Sequence, residues 1–433
     1  MLEKEIEQYY TDHEQEMLDR LAELIAIDSS FSEPRPDEGM PFGEGSAKAL
    51  GWVQSFGQEI GLITRSIDNY AVAMDWKDTE PALAILSHAD VVPANAAEWT
   101  TPPFEMNVRD GCIFGRGSVD DKGPTVAVMY AAKCLKDLGV TLDRSFRMVV
   151  GGNEEQGCED IKYYAEREPF PDMVITPDGS FPVLNCEKGM VHLTFSGGFD
   201  DSIISTISAG KAINAIPDSC TVTRCGGGHP EVYQGKAAHG SRPQDGDNAV
   251  TRFLSGYRGS SRKLLALKKL FPRGEFDGRS CGLGFSDEMT GSMTCALTVL
   301  NREEGGELHG GIDIRFPIDR SCSEIKDIIC SALERAGFRI DSCEGMEPHF
   351  VSPDSRLVQT LLSVYEKVSG RKGECIAEGG ITYVHNTPGG VAFGAEYPWE
   401  QNNMHGADEH IPLSTFRDNF LMYAHALIEL LKD

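Results

Sequence analysis

Between residues 83 and 175 the chain alternates short apolar runs with helical stretches, and that alternation limits its possible folds more than any other feature. Aliphatic and β-branched residues fill 83–86, 146–150 and 173–175, each too short for a buried helix, whereas 125–138 carries helical spacing. Strands separated by helices predict an α/β fold with a mixed, mostly parallel sheet flanked by helices. Ligands of such sheets collect outside the carboxyl ends of the strands. His88, Glu154-Glu155 and Asp178 each come just after one of these runs. Asp120, followed by Asp121, ends a Gly-rich turn, 115–120, immediately before the helix that Pro124 helps to open.

Taken singly these are ordinary residues. His88 reads equally well as a satisfied histidine at a strand end, and each carboxylate as a turn residue. Their recurrence at successive strand ends argues against coincidence. Asp and Glu are seldom buried without a partner, so carboxylates gathered at one crevice require counter-charge, which two divalent cations supply. A hydrolytic centre of that kind needs a few hard or borderline ligands, one carboxylate to bridge both ions and a separate base for the water. The inventory is present: His88 offers an imidazole nitrogen, and Asp90, two residues on, can hold that ring in its ligand tautomer.

At 433 residues two domains are expected. Met17, Leu18, Leu21, Leu24 and Ile25 predict an amphipathic helix ending near Asp28. Beyond Gly189 the texture changes to a strand over 190–195, Gly-rich turns at 226–228 and a basic helix over 260–270. The expected organisation is therefore a catalytic domain begun by 1–188, interrupted by an α+β lid domain over 189–353 and completed by 354–433. Ser352 as N-cap and Pro353 at the first helical position predict where the chain re-enters. A polar and aromatic loop with His405 follows the apolar run 391–393, and a last helix carries Leu413, Phe416, Phe420, Leu427 and Leu431. Loops of that length are often functional.

The balance of 40 Lys and Arg against 67 Asp and Glu gives a net charge of −27, which repels nucleic-acid phosphates and anionic lipid; neither is an expected partner. The acidic start lacks the basic and apolar regions of a signal peptide, so a cytoplasmic location is expected. The 12 cysteines contain no Cys-x-x-Cys pair and read as reduced, mostly buried thiols.

Ser87-His88-Ala89-Asp90, Gly115 to Gly123 (GRGSVDDKG), Asn153-Glu154-Glu155, Pro177-Asp178 and His405 to Glu409 (HGADE) together resemble the acetylornithine deacetylase, aminoacylase and carnosinase metallopeptidase family. Lys188-Gly189-Met190 and Gly235 to Ser241 are most similar to its bacterial Xaa-His dipeptidase (dipeptidase V) branch. The resemblance implies Asp120 as the bridging carboxylate, His88 and Asp178 on one metal, Glu155 and His405 on the other, and Glu154 as general base. It further implies that His239 donates to the oxyanion. Asn214 and Arg315, from the lid, would grip the reacting centre or the substrate carboxylate, and Glu378-Gly379-Gly380 would form a substrate loop. Without the family each of these reads as a turn, cap or surface residue.

Asp at position 178, where deacylases of the family tend to carry Glu, favours a dipeptidase acting on short unblocked peptides. The alternatives are an N-acyl amino acid deacylase and, from another class, an inactive descendant that binds peptide or metal. Zinc is the first expectation for the two ions, with manganese or cobalt compatible with the ligands. A small peptide is the expected partner, and the enlarged lid leaves monomer or homodimer open.

Overall fold

The computed structural model describes every residue except Gly228, one of the expected turn glycines, and Asp433, the last residue of the expected third segment. The chain forms two compact units, Met1–Asn185 with Val351–Ile376 and Thr382–Asp433, and Cys186–Phe350 with Ala377–Ile381. The segment 377–381 thus belongs with the second unit.

In the first unit the predicted runs are strands. Pro81–His88 lies parallel to Ser145–Gly151 on one side and to Met173–Thr176 on the other, and Met173–Thr176 lies parallel to Gly390–Ala392. Antiparallel strands flank this core: Ala71–Asp75 and Ile63–Ile67 on one margin, Val183–Glu187 on the other. Both faces are covered, as a parallel core demands. Leu83, Ile85, Phe146, Met148, Val150 and Ile175 point into a core shared with the helices Leu2–Ile25, Lys122–Asp137 and Leu413–Leu431. Ala84, Leu86, Val149 and Val174 point the opposite way, towards Ile161, Tyr164 and Tyr383. Each fully buried Leu, Ile, Val or Phe stabilises this arrangement by about 1.5–3 kcal/mol, so a one-residue slip of any central strand, which exchanges its faces, is strongly disfavoured.

The amino-terminal helix runs from Leu2 to Ile25, well before the predicted stretch. Ile6, Tyr9 and Tyr10 seat its first turns, followed by a polar interval that hides the period. The helix after the second unit is Arg356–Ser369, capped by Ser355 rather than Ser352. Ser352 makes a turn instead, its hydroxyl accepting from Asp354 N at 3.2 Å and its carbonyl from Ser355 N at 3.1 Å. The Ser355 hydroxyl then takes Val358 N at 3.2 Å, one of the first-turn donors that has no partner within the helix.

The second unit is a seven-stranded antiparallel sheet in the order 231–234, 219–224, 204–209, 294–302, 308–316, 189–197, 339–346. Helices Ala249–Gly256, Arg262–Leu270 and Cys322–Arg335 supply its second core with Phe253, Leu254, Leu264, Leu267, Ile325 and Ile329. No helix among the described residues is long and apolar enough to cross a membrane.

Ser355→Ala is expected to lower stability by about 1 kcal/mol in urea denaturation, whereas Ser352→Ala costs less than half of that. The reverse order would move the cap back to Ser352.

Candidate metal centre

The parallel core delivers its chemistry at one edge. His88 ends its strand directly opposite Gly151, and three residues after Gly151 begins the short 3-10 turn Glu154–Gln156. Gly151 admits no side chain: a Cβ there would run into the Tyr383 hydroxyl and the Asp160 carboxylate. Asp90 holds the turn, its Oδ1 accepting from Glu154 N at 3.1 Å and its Oδ2 from Glu155 N at 3.2 Å. The same residue faces His88 Nδ1 with its carbonyl at 3.1 Å and with Oδ1 at 3.4 Å. One short aspartate therefore fixes both the imidazole and the backbone that carries the two glutamates. Asp121 braces the strand end, accepting from the Ser87 hydroxyl at 2.5 Å and from His88 N at 3.2 Å.

A small three-stranded sheet brings in the remaining ligands. Cys112–Phe114 pairs with Asn107–Arg109 and with His410–Pro412, so the turn leading to Asp120 and the loop carrying His405 leave the same sheet. Glu409, fully buried, accepts from Gly117 N at 3.0 Å, Val119 N at 3.1 Å and Asp120 N at 3.4 Å, and is ion-paired with Arg116. The Arg116 guanidinium also donates to the carbonyls of His405 at 3.2 Å and Gly406 at 3.1 Å. His405 has φ 62°, a conformation that costs a side-chain-bearing residue on the order of 1 kcal/mol and persists because these bonds hold it. Sequence reasoning gave Arg116 and Glu409 no role beyond membership of motifs. They lie 293 positions apart, and no periodicity connects them.

The five expected ligands converge. Asp120 Oδ1 is 2.9 Å from His88 Nε2, and its Oδ2 is 2.8 Å from His405 Nε2. Asp178 Oδ2 stands 3.7 Å from His88 Nε2, and Glu155 Oε2 3.2 Å from His405 Nε2. Two groups, His88, Asp120, Asp178 and Asp120, Glu155, His405, each bring one ligand atom per residue within 4.8 Å of the others. His88 Nε2 is buried and, despite its approach to Asp120, lacks the alignment of a hydrogen bond.

Charge crowding marks the same place. Burial, followed by the neighbouring Asp178, raises the pKa of Glu154 well above the carboxylate range; burial and Asp120 do the same to Asp178 and raise Glu155. Burial pushes Asp121 up to about 7. Burial would raise Asp120 too, but the hydrogen bond from His405 and the imidazole of His88 beside it outweigh it and hold Asp120 low. Burial would lower His88 and His405; the carboxylates beside them raise both. Oxygen donors in excess of cations, with two imidazoles among them, suit a borderline divalent metal. The residues therefore fit such an ion at either group.

The other expected residues lie in the second unit. His239 pairs with Ala215 in a two-stranded ladder, and its Nδ1 meets the Ser241 hydroxyl at 2.7 Å. Asn214 presents its carbonyl to Gly240 N at 2.6 Å. The Arg315 guanidinium is ion-paired with buried Asp313 at 2.8 Å, and its Nη1 donates to Gly379 O at 3.0 Å. Arg315 thus shapes the loop at 378–380, and His192 completes the pair from the other side of Asp313 at 3.0 Å. Lys188 N donates to Glu378 O at 3.0 Å, fixing the start of that loop.

An α/β sheet with His, Asp and Glu donors converging at its carboxyl edge defines a metal-site hydrolase scaffold. Residues 84–429 match peptidase family M20/M25/M40. The chain is 32% identical to the Beta-Ala-Xaa dipeptidase of Lactobacillus delbrueckii subsp. lactis, over 96% of this chain and 96% of that protein. Among solved structures it superposes on human carnosine dipeptidase 1 with a TM-score of 0.67 at 15% identity, covering 99% of each chain. It also superposes on Bacillus subtilis YXEP, a dinuclear metal binding peptidase, with a TM-score of 0.56 at 10% identity, covering 98% of this chain and 99% of that one. The protein belongs to peptidase family M20/M25/M40, as the sequence motifs anticipated.

Arg116→Ala leaves Glu409 buried without its cation, so a loss of about 3–5 kcal/mol in chemical denaturation is expected; a loss under about 1 kcal/mol would show the pair to be dispensable. Metal-stripped protein is expected to lose stability as pH rises from about 5 to about 8. The raised carboxyls and the raised imidazoles alike bind more protons folded than unfolded across that window, so stability falls as pH rises. Thermal unfolding midpoints that stay flat or climb across that window would contradict this.

Proposed function

We propose that the protein is a metal-dependent dipeptidase hydrolysing short unblocked peptides. His88, Asp120 and Asp178 would hold one divalent ion and Asp120, Glu155 and His405 a second. The observation that carries this reading is Asp120, whose two oxygens face different imidazoles, the disposition required of a bridging carboxylate. Zinc is the first choice, with manganese or cobalt compatible with the same donors. The relative from L. delbrueckii, a dipeptidase by name and similar over nearly the full length of both chains, supports the substrate class.

Bound divalent cations supply the positive charge that lowers the pKa of water and polarises a carbonyl oxygen. The protein's own groups do the rest. Asp90, by occupying the Nδ1 side of His88, leaves Nε2 to present its lone pair inward. Glu154, clamped at its backbone by Asp90, takes the proton of the attacking water and delivers it to the leaving amine nitrogen. His239 is assigned as the donor to the carbonyl oxygen as it becomes anionic, with the second unit acting as a lid. Asn214, the loop Glu378-Gly379-Gly380 and Arg315 are assigned to the substrate; the Asp313–Arg315 pair supports a role for Arg315 through Gly379 O. A peptide is the only partner proposed, in a cytoplasmic monomer or homodimer.

Glu154→Gln is expected to retain its metal while turnover falls by about 10²–10⁴. Elemental analysis with a panel of free and N-acetylated dipeptides tests the rest. Turnover confined to the acetylated compounds would replace the dipeptidase reading by a deacylase, and activity undiminished by a chelator would end the metal mechanism.

A further inference from the structure

His405 stands in an irregular stretch between the strands Gly390–Ala392 and His410–Pro412, where Asn403 and His405 both adopt positive φ, 54° and 62°. A ligand on such a stretch is placed only as well as the stretch is tied down. Arg116 ties the carbonyls of His405 and Gly406. The approach from the preceding side depends on a different residue, Glu396. Its Oε2 accepts from the side-chain amide of Asn402. Buried Asn402 in turn takes Met404 N on its Oδ1 at 3.1 Å and His410 N on its carbonyl at 2.9 Å. The other carboxylate oxygen, Oε1, accepts from the Ser180 hydroxyl at 3.4 Å. The backbone repeats the connection: Phe181 N donates to Glu396 O at 2.8 Å and Glu396 N to Gly179 O at 3.3 Å.

Ser180 lies two residues beyond Asp178, and Asn402 three before His405. Asp178 and His405 belong to different candidate metal groups, which otherwise share only Asp120. We propose that Glu396 is a positioning residue that couples the two metal positions by joining the Asp178 loop to the His405 loop, with its main effect on His405. The asymmetry comes from what else holds each end. Asp178 leaves a central strand directly and is also tied through its amide to Thr176 Oγ1 at 3.2 Å, whereas His405 has no regular structure on its amino-terminal side. A carboxylate suits the position because it accepts on both oxygens at once; a glutamine keeps one acceptor and presents an N–H₂ in place of the other.

The proposal rests on the dinuclear reading of the centre, and its test does not use peptide turnover. Full-length protein stripped of metal is titrated with Co²⁺, followed by calorimetry and by the visible absorption of the bound ion. Wild-type protein is expected to take up two ions. In Glu396→Ala one ion should bind as in wild type and the other about tenfold or more weakly, the range found when outer partners of metal ligands are removed. Glu396→Gln should fall between, and Asn402→Ala should reproduce the defect from the other end of the link. Two ions bound at wild-type affinity by folded Glu396→Ala would overturn the proposal, as would equal weakening of both. Failure of both Glu396→Ala and Asn402→Ala to fold would also overturn it, because the contact would then hold the fold and not the ligand. Wild-type protein that took up a single ion would remove the dinuclear reading before any variant was compared. Two ions bound without dipeptide hydrolysis would leave the coupling standing and reject only the substrate assignment.

Discussion

Asp120 places one oxygen against each of two imidazoles, and most of what surrounds it can be understood as keeping that carboxylate, Glu155, Asp178 and Glu154 together against their mutual repulsion. Two like charges about 4 Å apart repel by roughly 4 kcal/mol at the effective dielectric near a protein surface. A net hydrogen bond returns about 1 kcal/mol. The protein's own bonds cannot hold several ionised carboxylates at one crevice, so in the absence of cations the site must take up protons, and the raised proton affinities of Glu154, Glu155 and Asp178 express that demand.

The holding is done largely through the main chain. Asp90 accepts from the amides that precede the two glutamate side chains, and Glu409 accepts from three amides of the turn that ends in Asp120. Arg116 balances Glu409 and reaches the carbonyls around His405. Charges used this way position His88, Asp120, Glu154, Glu155 and His405 through their backbone or outer ring atoms. The buried aspartate Asp313 plays a comparable part in the second unit, where Arg315 and His192 meet on it and Arg315 passes the restraint to Gly379.

The strands of the parallel core were legible because each is a short apolar run with polar punctuation, and because both of its faces are buried. His88, Glu155 and Asp178 were legible for a related reason: a charged or metal-binding type at the carboxyl end of such a run has few structural uses. The amino-terminal half of the first helix was not, since only Ile6, Tyr9 and Tyr10 of its early residues are buried and the polar stretch behind them breaks the period. The cap at Ser355 escaped for a local reason. Two serines three positions apart both suit a helix start, and only the turn made by the first decides between them.

Residue order alone determined which side chains stand at strand ends, since burial of alternating faces fixes register, and register fixes which residue emerges where each strand stops. It also set the supply of ligands and the excess of acid that calls for cations. Tertiary structure decided the pairings across long separations, Arg116 with Glu409, Ser180 with Glu396, and Asp120 with His405. Such contacts depend on where loops from different strands come to rest, and a hydrogen bond between residues hundreds of positions apart leaves no period in the sequence by which it could be read.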